Sequence, residues 1–247
     1  MTRPFEHFDA QVGFALGMVD LTAVWAECDR QGLDVENRQD ELSVFMESLY
    51  EVNKVRNLTR VSPEDAALRH VVDSLLVVPF IPEGAHVLDI GCGPGFPAWV
   101  IAWARPDTSV LALDSNSKMQ GFLSEHSRVN LGQRIQRAEE EILRDQFDVV
   151  TGRALAPFGI QAEVSAAWLR VGGVFVPFRT AAERAEIESA NLGMLGLKLH
   201  EMNEVVLPGG AGTRLFPVWD KVKPTPIEYP RSWAKIKAKP LGVRSVR

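Results

Sequence analysis

The sequence predicts an α/β protein built around a mostly parallel sheet, with a helical extension at its N-terminus. From residue 85 onward, short β-branched or apolar runs alternate with amphipathic segments, which is the pattern of successive β-α-β units. Before residue 80 the apolar residues recur at helical spacing instead. Because the carboxyl ends of parallel strands form the usual ligand site of such sheets, we expect function at that edge.

Composition is that of a soluble globular protein. The 247 residues are 46% hydrophobic and 24% charged, which is enough to bury a sizeable core. No apolar run approaches the roughly 18 residues that span a bilayer, and the first ten residues lack the layout of a secretory signal, so we expect a cytoplasmic protein without membrane contact. Two cysteines and five histidines without paired spacing predict no disulfide framework and no metal site.

Helices are predicted over most of the N-terminal extension. Apolar spacing indicates one helix near 9–31 and another near 36–55. A third begins at Ser62-Pro63, because serine is a favoured N-cap and proline fits the first helical position, and it closes before Pro79.

Strands and helices then alternate through the central part of the chain. Five runs are predicted strands, namely AHVLDI, TSVLALD, RIQRAE, QFDVVTG and GGVFVPFR. Helices are predicted between and after them, near 96–104, 116–130, 158–169 and 181–195. The runs LHEMNEVVL and TRLFPVWDKV are predicted to finish the sheet as a hairpin. We therefore divide the chain into a helical extension (1–82), a ligand-binding domain (83–222) and a C-terminal tail (223–247).

The segment VLDIGCGPGFPA at 87–98 carries three closely spaced glycines after the first predicted strand. A dinucleotide-binding loop requires G-x-G-x-x-G, whereas Gly91, Gly93 and Gly95 have the spacing G-x-G-x-G. Such a loop presents bare backbone to a flat or carboxylate-bearing ligand without requiring two phosphates, which favours S-adenosylmethionine as the cofactor. Asp114 ends the second strand, where an acid accepts hydrogen bonds from the ribose hydroxyls of either kind of cofactor.

Charge is distributed unevenly along the chain. The net charge is −5, but residues 221–247 contain eight Lys or Arg and one acid, a net +7, which leaves −12 for residues 1–220. A basic patch on an acidic body suits a polyanion contacted at one edge, and a solvated tail is the alternative explanation.

Several motifs together resemble the RsmG (also called GidB) family, methyltransferases that modify a guanine N7 of bacterial small-subunit rRNA. They are NLT, RHVVDSL and DIGCGPGFP within residues 57–97, followed by LDSNSKMQGFL, RAEE, FDVVTGRALAP and TPIEYPR with KPL, so that the resemblance covers about residues 42–241. It implies a class I (Rossmann-like) methyltransferase fold and S-adenosylmethionine as cofactor. It also implies a monomer whose partner is small-subunit rRNA or the assembling 30S particle.

The resemblance also implies roles for individual residues. Gly91 and Phe96 are expected to line the cofactor pocket, Ala138 and Glu139 to hold the adenine edge, and Arg153 to lie at the pocket after the fourth strand. From the residues alone, a surface glutamate at the start of an ordinary acidic helix is favoured for Glu139.

Candidates on the substrate side are Asn57, His70, Asp73 and Arg153. His70 and Asp73 are three residues apart and share a helix face, where they either contact substrate or brace the helix. Asn57 is expected to cap or turn the chain beside the pocket. Arg153 is expected to hold the cofactor carboxylate or a phosphate beside the target base.

RNA-binding candidates are Lys118, Arg179, Arg231 and Lys239. Arg179 stands where the family usually has lysine, and Ala98, Thr180, Ala234 and Ile236 are further departures from the family pattern. Because the cofactor motifs are retained, these departures bear on the choice of RNA target.

Chemistry at guanine N7 needs no obligate catalytic base, since N7 has a free lone pair and no proton to lose, and alignment with the methyl group supplies much of the acceleration. The fourth strand ends in TGRA, without the Asp/Asn-Pro-Pro-aromatic run of exocyclic-amine methyltransferases. Neither cysteine is placed as a nucleophile for cytosine C5. Two alternatives stay open: a related methyltransferase with another RNA or small-molecule acceptor, and a non-catalytic, cofactor-binding assembly factor.

Overall fold

The computed structural model describes residues 19–140 and 143–241. The first half of the helix predicted near 9–31 lies outside the described residues, as do the last basic residues of the tail. The architecture is a seven-stranded sheet with helices on both faces, which confirms the predicted fold class.

The sheet has the strand order β3-β2-β1-β4-β5-β7-β6. Strands β1 to β5 are parallel, whereas β7 runs antiparallel to both β5 and β6, so the last two strands form the predicted hairpin. The strands are β1 (His86–Ile90), β2 (Ser109–Asp114), β3 (Leu131–Ile135), β4 (Phe147–Arg153), β5 (Leu169–Thr180), β6 (Leu197–Val206) and β7 (Thr213–Lys221). The third strand begins three residues earlier than predicted.

Helices cover both faces of the sheet. The α-helices are α1 (Thr22–Gln31), α2 (Gln39–Arg56), α3 (Pro63–Ala66), α4 (Asp73–Leu75), α5 (Ala98–Ala104), α6 (Ser117–Glu125), α7 (Phe158–Ala166), α8 (Arg184–Ser189) and α9 (Trp233–Ala238). Between α3 and α4 the chain forms a π-helix, Ala67–Val72. None of the helices in the described part of the chain has the length and apolar character needed to cross a bilayer.

The helical extension and one face of the sheet share a single hydrophobic core. Phe45 of α2 is fully buried and stacks on Trp99 of α5, with ring centroids 4.0 Å apart. It also meets the edge of Phe96 at 5.6 Å. The extension is therefore packed onto the domain at the glycine loop, and its motifs NLT and RHVVDSL lie close to the candidate site.

The C-terminal tail is docked on the other face of the sheet, against α7. Glu163 of α7 is fully buried and accepts hydrogen bonds from the backbone N, Nε and Nη2 of Arg231 at 2.9, 2.8 and 2.6 Å. A Cβ added to Gly159 would lie 1.7 Å from the carbonyl oxygen of Leu241, so only glycine fits beneath the end of the tail. The described part of the tail packs on the domain and does not extend away from it.

Candidate functional site

The glycine loop follows β1 at the carboxyl edge of the sheet. Gly91, Gly93 and Gly95 have φ values of +78°, +54° and +123°, a region that side chains rarely adopt. Gly91 is also sterically confined, because an added Cβ would lie 2.7 Å from Cδ1 of Leu155. Gly93 has nothing within 4 Å of the same position. The loop therefore needs glycine for its backbone conformation. At Gly91 a side chain would also displace the end of the Leu155 side chain.

A cavity of about 230 Å³ opens beside this loop, at the carboxyl ends of β1 to β4. Four predicted cofactor residues line it together, namely Gly91, Asp114, Ala138 and Glu139. Whole small-molecule sites usually measure roughly 300–1,000 Å³, so this cavity accommodates part of a cofactor of that size.

Asp114 joins the glycine loop to the end of β2. Its Oδ2 accepts a hydrogen bond from the backbone N of Gly93 at 2.9 Å, and its Oδ1 accepts one from Asn116 at 2.8 Å. A carboxylate has about four lone-pair positions, so each oxygen keeps one for a ligand hydroxyl. Asp114 thus braces the loop and still presents acceptors to the cavity.

Ala138 and Glu139 follow β3 and are both held by neighbouring side chains. The carbonyl of Ala138 accepts a hydrogen bond from the indole of the buried Trp168 at 3.2 Å. Glu139 is only 11% exposed and pairs with Nε of Arg137 at 2.7 Å. Glu139 is therefore not a free surface glutamate, and it lines the cavity together with Arg137.

Phe96 and Arg153 lie on the inner side of the glycine loop and are not among the residues that line the cavity. Phe96 is 3% exposed and stacks on His70, with ring centroids 4.3 Å apart and planes 10° apart. The guanidinium carbon of Arg153 lies 5.8 Å from the Phe96 ring centroid. Of the eight predicted cofactor residues, four therefore line the cavity, Phe96 and Arg153 lie together outside it, and Gly93 and Gly95 are not among its lining residues either.

Asp73 is the centre of a second region, which we call the ion cluster: Asp73, Arg153 and Arg214. The carboxylate of Asp73 is buried and lies 2.9 Å from Nη1 of Arg153 and 2.7 Å from Nε of Arg214. Arg153 also donates to the carbonyl of Arg69 at 2.7 Å. Two arginines and one aspartate give the cluster a net charge of +1. Asp73 thus ties together the helical extension, β4 and β7.

His70 lies in the π-helix beside the ion cluster. Its Nε2 is 2.8 Å from the hydroxyl of Thr59, while its Nδ1 is buried without a hydrogen-bond partner. Burial, aided by the charge of Arg153, lowers the pKa of His70 to about 3. The imidazole is therefore neutral at physiological pH. π-helical turns are frequent at functional sites, which fits this position at the junction of extension and sheet.

Asp89 was not among the predicted site residues, although it is the acid of VLDIG. It is fully buried beneath the loop, where Oδ2 accepts a hydrogen bond from the backbone N of Ala98 at 2.9 Å and Oδ1 has no partner. Burial raises the pKa of this carboxyl to about 7. Buried polar atoms are rarely left unpaired, so the free Oδ1 is a candidate contact for a bound cofactor.

Both cysteines are buried. Burial raises the pKa of Cys28 to about 12 and that of Cys92 well above its usual value. A thiolate nucleophile is therefore disfavoured at both positions, in agreement with the sequence analysis. Among residues 19–140 and 143–241, no group of three or more His, Cys, Asp or Glu could hold a metal ion.

Two of the RNA-binding candidates, Arg179 and Arg231, are bound by groups of the protein. Arg179 is buried and bonds to the carbonyl of Ala156 and the side chain of Glu183, both at 3.0 Å, and to Gln161. Arg231 is taken up by Glu163, as described above. The expectation of RNA contact was wrong for Arg179, because its guanidinium is buried against acceptors of the protein. The side chain of Arg231 is still 21% exposed, and RNA contact by this residue stays a prediction.

Three other candidates lie at the surface. Lys118 is exposed near the start of α6, just after β2, and Lys239 is exposed at the end of α9. Asn57 is exposed and ends α2 in a left-handed conformation, with φ +52°, so it does turn the chain as expected. Substrate or RNA contact by these residues stays a prediction.

The chain matches known proteins along most of its length. A family model described as rRNA small subunit methyltransferase G matches residues 38–209. A relative named ribosomal RNA small subunit methyltransferase G, from Lactobacillus delbrueckii subsp. bulgaricus, is 35% identical over 219 residues, which is 83% of this chain and 92% of the relative.

Two solved structures of low sequence identity have a similar fold. TYW2 of M. jannaschii in complex with AdoMet has a TM-score of 0.50 and 15% identity, over 61% of this chain and 75% of that one. A TehB-like SAM-dependent methyltransferase from Corynebacterium glutamicum has a TM-score of 0.50 and 18% identity, over 71% and 98% of the two chains. These likenesses support the fold.

Proposed function

Because this chain belongs to the rRNA small subunit methyltransferase G family, we propose that it transfers a methyl group from S-adenosylmethionine to N7 of a guanine in small-subunit rRNA. One observation carries the proposal: the carboxyl ends of the strands form a cavity lined by Gly91, Asp114, Ala138 and Glu139, and the ion cluster beside it carries a net positive charge on two partly exposed arginines. The first region suits the cofactor and the second suits a phosphate-bearing acceptor.

The residues of the cavity fit the cofactor. Asp114 has free acceptor positions for ribose hydroxyls, and Glu139 offers an acceptor for the exocyclic amine of adenine. Gly91 brings bare backbone to the cavity wall, a space that a Cβ would fill. Asp89 lies beneath the glycine loop and outside the cavity lining, and its buried Oδ1, which has no protein partner, is proposed as an acceptor for the cofactor's amino-acid end.

The protein's part in the reaction is positioning. S-adenosylmethionine supplies a methyl group on a positively charged sulfur, which is electrophilic without further activation. Guanine N7 attacks through its lone pair and loses no proton, so no side chain has to act as a base. His70 is neutral and buried, and it stacks on Phe96 beside the ion cluster, which fixes the position of both rings.

The ion cluster is proposed to hold the acceptor. Its net charge of +1 is carried by arginines whose side chains are 17% and 24% exposed, so they can bind a phosphate oxygen without leaving Asp73. Lys118 adds an exposed cation near the start of α6, after β2. We expect the protein to act in the cytoplasm as a monomer, on rRNA or on the assembling 30S particle.

The test is transfer of labelled methyl from S-adenosylmethionine to small subunits taken from a strain that lacks this enzyme. We expect label in the rRNA, at a position cleaved by N7-methylguanine chemistry. Glu139→Gln should weaken cofactor binding about tenfold, and Glu140→Gln, at the next position, should not. Label on another acceptor, or none despite tight cofactor binding, contradicts the proposal.

A further inference from the structure

A residue from the C-terminal tail completes the wall of the cofactor cavity. Trp233, the first residue of α9, lines the same cavity as Ala138 and Glu139 and is half-buried. The other lining residues named above come from the strand ends of the sheet, and Trp233 is the only aromatic residue on the wall among the described residues. An indole at this position faces a ligand in the part of the cavity beside Ala138 and Glu139, where adenine is expected.

We propose that Trp233 is a cofactor-binding residue whose indole packs against the adenine of S-adenosylmethionine, so that the tail forms the outer wall of the site. This rests on the proposed function, because that function identifies the ligand. An indole next to a purine is a favourable arrangement, since every base offers an aromatic face for stacking.

The tail holds Trp233 in place through contacts on both sides of it. Two residues earlier, Arg231 is bound by the buried carboxylate of Glu163 through three hydrogen bonds. Three residues later, Ile236 is fully buried against the domain. Further upstream, Arg144 donates to the carbonyls of Thr225 and Tyr229 at 2.8 and 2.9 Å. An indole anchored in this way loses little freedom when a ligand packs on it.

Trp233 is also connected to the carboxylate that we assign to the adenine edge. The guanidinium carbon of Arg137 lies 5.2 Å from the Trp233 ring centroid, and Nε of Arg137 pairs with Glu139 at 2.7 Å. Lys237 contributes a second cation, 5.6 Å from the same ring. The indole, the arginine and Glu139 thus form one contiguous group at this end of the cavity.

The experiment compares the affinity for S-adenosylhomocysteine, measured by calorimetry, in the full chain and in three variants. Trp233→Leu keeps an apolar side chain but removes the aromatic face, and we expect its Kd to rise about tenfold or more. Trp233→Phe retains a ring and should stay within about threefold of the unmodified protein. Trp25→Leu alters a half-buried tryptophan outside this cavity and is the matched control, with unchanged Kd expected.

A purely structural role for Trp233 gives a different pattern. In that case the leucine variant would unfold at a lower temperature than the unmodified protein in the absence of ligand. The affinity of each variant would then fall in proportion to its loss of stability, whether or not the variant retains a ring. Equal affinity of the unmodified and leucine proteins overturns the inference and leaves the proposed function standing. Failure of the unmodified protein to bind S-adenosylhomocysteine overturns both.

Discussion

The two halves of the candidate site are built in different ways. The cofactor cavity is formed by short segments that directly follow neighbouring parallel strands, so its residues are brought together by the sheet itself. The ion cluster joins Asp73 to arginines that are 80 and 141 residues away in the chain, and it depends on buried charges. We therefore expect the shape of the cavity to depend mainly on the sheet. We expect the ion cluster to depend on each of its three members.

Removal of the central charge of the ion cluster should have the largest effect. Asp73→Asn leaves Arg153 and Arg214 without their common partner, and breaking a buried ion pair costs about 3–5 kcal/mol. We expect that loss in urea unfolding, together with loss of methyl transfer. Asp65→Asn on the preceding turn removes an exposed pair with Arg69 and should cost less than about 1 kcal/mol. Equal costs for the two variants would show that Asp73 is no anchor.

Asp89 tests whether a buried charge beneath the glycine loop also affects the free energy of unfolding. Its pKa is about 7 in the folded protein against 3.8 ordinarily, so the folded state binds this proton more tightly than the unfolded state does. The contribution of Asp89 to stability is therefore fully present below pH 4 and is lost as the pH rises to about 7. Asp89→Asn should remove this dependence, gaining up to about 4 kcal/mol relative to the unmodified protein between pH 4 and 8.

The measurement for Asp89 is the free energy of unfolding of both proteins at a series of pH values. The difference between them isolates this carboxyl from all others that titrate in the same range. Parallel curves would mean that Asp89 is as easily ionised in the folded protein as in the unfolded chain.

Alanine substitutions at Gly91 and Gly93 distinguish the effect of backbone strain on cofactor binding from the effect of cavity shape. Alanine is strained at both positions because φ is positive, but only at Gly91 does a Cβ also meet Leu155, at 2.7 Å. We expect Gly91→Ala to weaken S-adenosylhomocysteine binding by about tenfold more than Gly93→Ala does. Calorimetric titration of the two variants provides the comparison, and similar losses would assign the effect to the loop conformation alone.

The smallest effect is expected at the exposed rim. Lys118→Ala should weaken RNA binding about two- to fivefold and reduce the slope of log affinity against log salt by about 0.7–0.9, the amount expected for one phosphate contact. Lys198→Ala, on the edge strand β6, is an exposed control that should change neither quantity. Filter binding at four salt concentrations distinguishes them, and an unchanged slope for Lys118→Ala would remove that residue from the interface.

The sequence predicts the cavity well and the ion cluster poorly. Gly91 and Asp114 lie at recognisable offsets from strand ends, and parallel strands bring such ends to one edge. Glu139 was expected at the site only from the family resemblance, because the third strand was predicted to extend through it. Arg214 gives no local signal, because its partnership with Asp73 depends on β7 lying beside β5. The same reason explains the wrong expectation for Arg179: a charge is visible in the sequence, but the buried amide and carbonyl that bind it are not. Trp233 gives no local signal either, because the evident feature of its segment is a basic charge.

The buried thiols have a practical consequence for experiments on the intact molecule. With the pKa of both Cys28 and Cys92 raised by burial, neither side chain reacts readily with maleimides at neutral pH. A single cysteine introduced at an exposed position just after α9, such as Lys239→Cys, can then be labelled selectively without first replacing the native pair. A fluorophore at that position would report in real time whether the tail is docked on the domain, with and without added small ribosomal subunits.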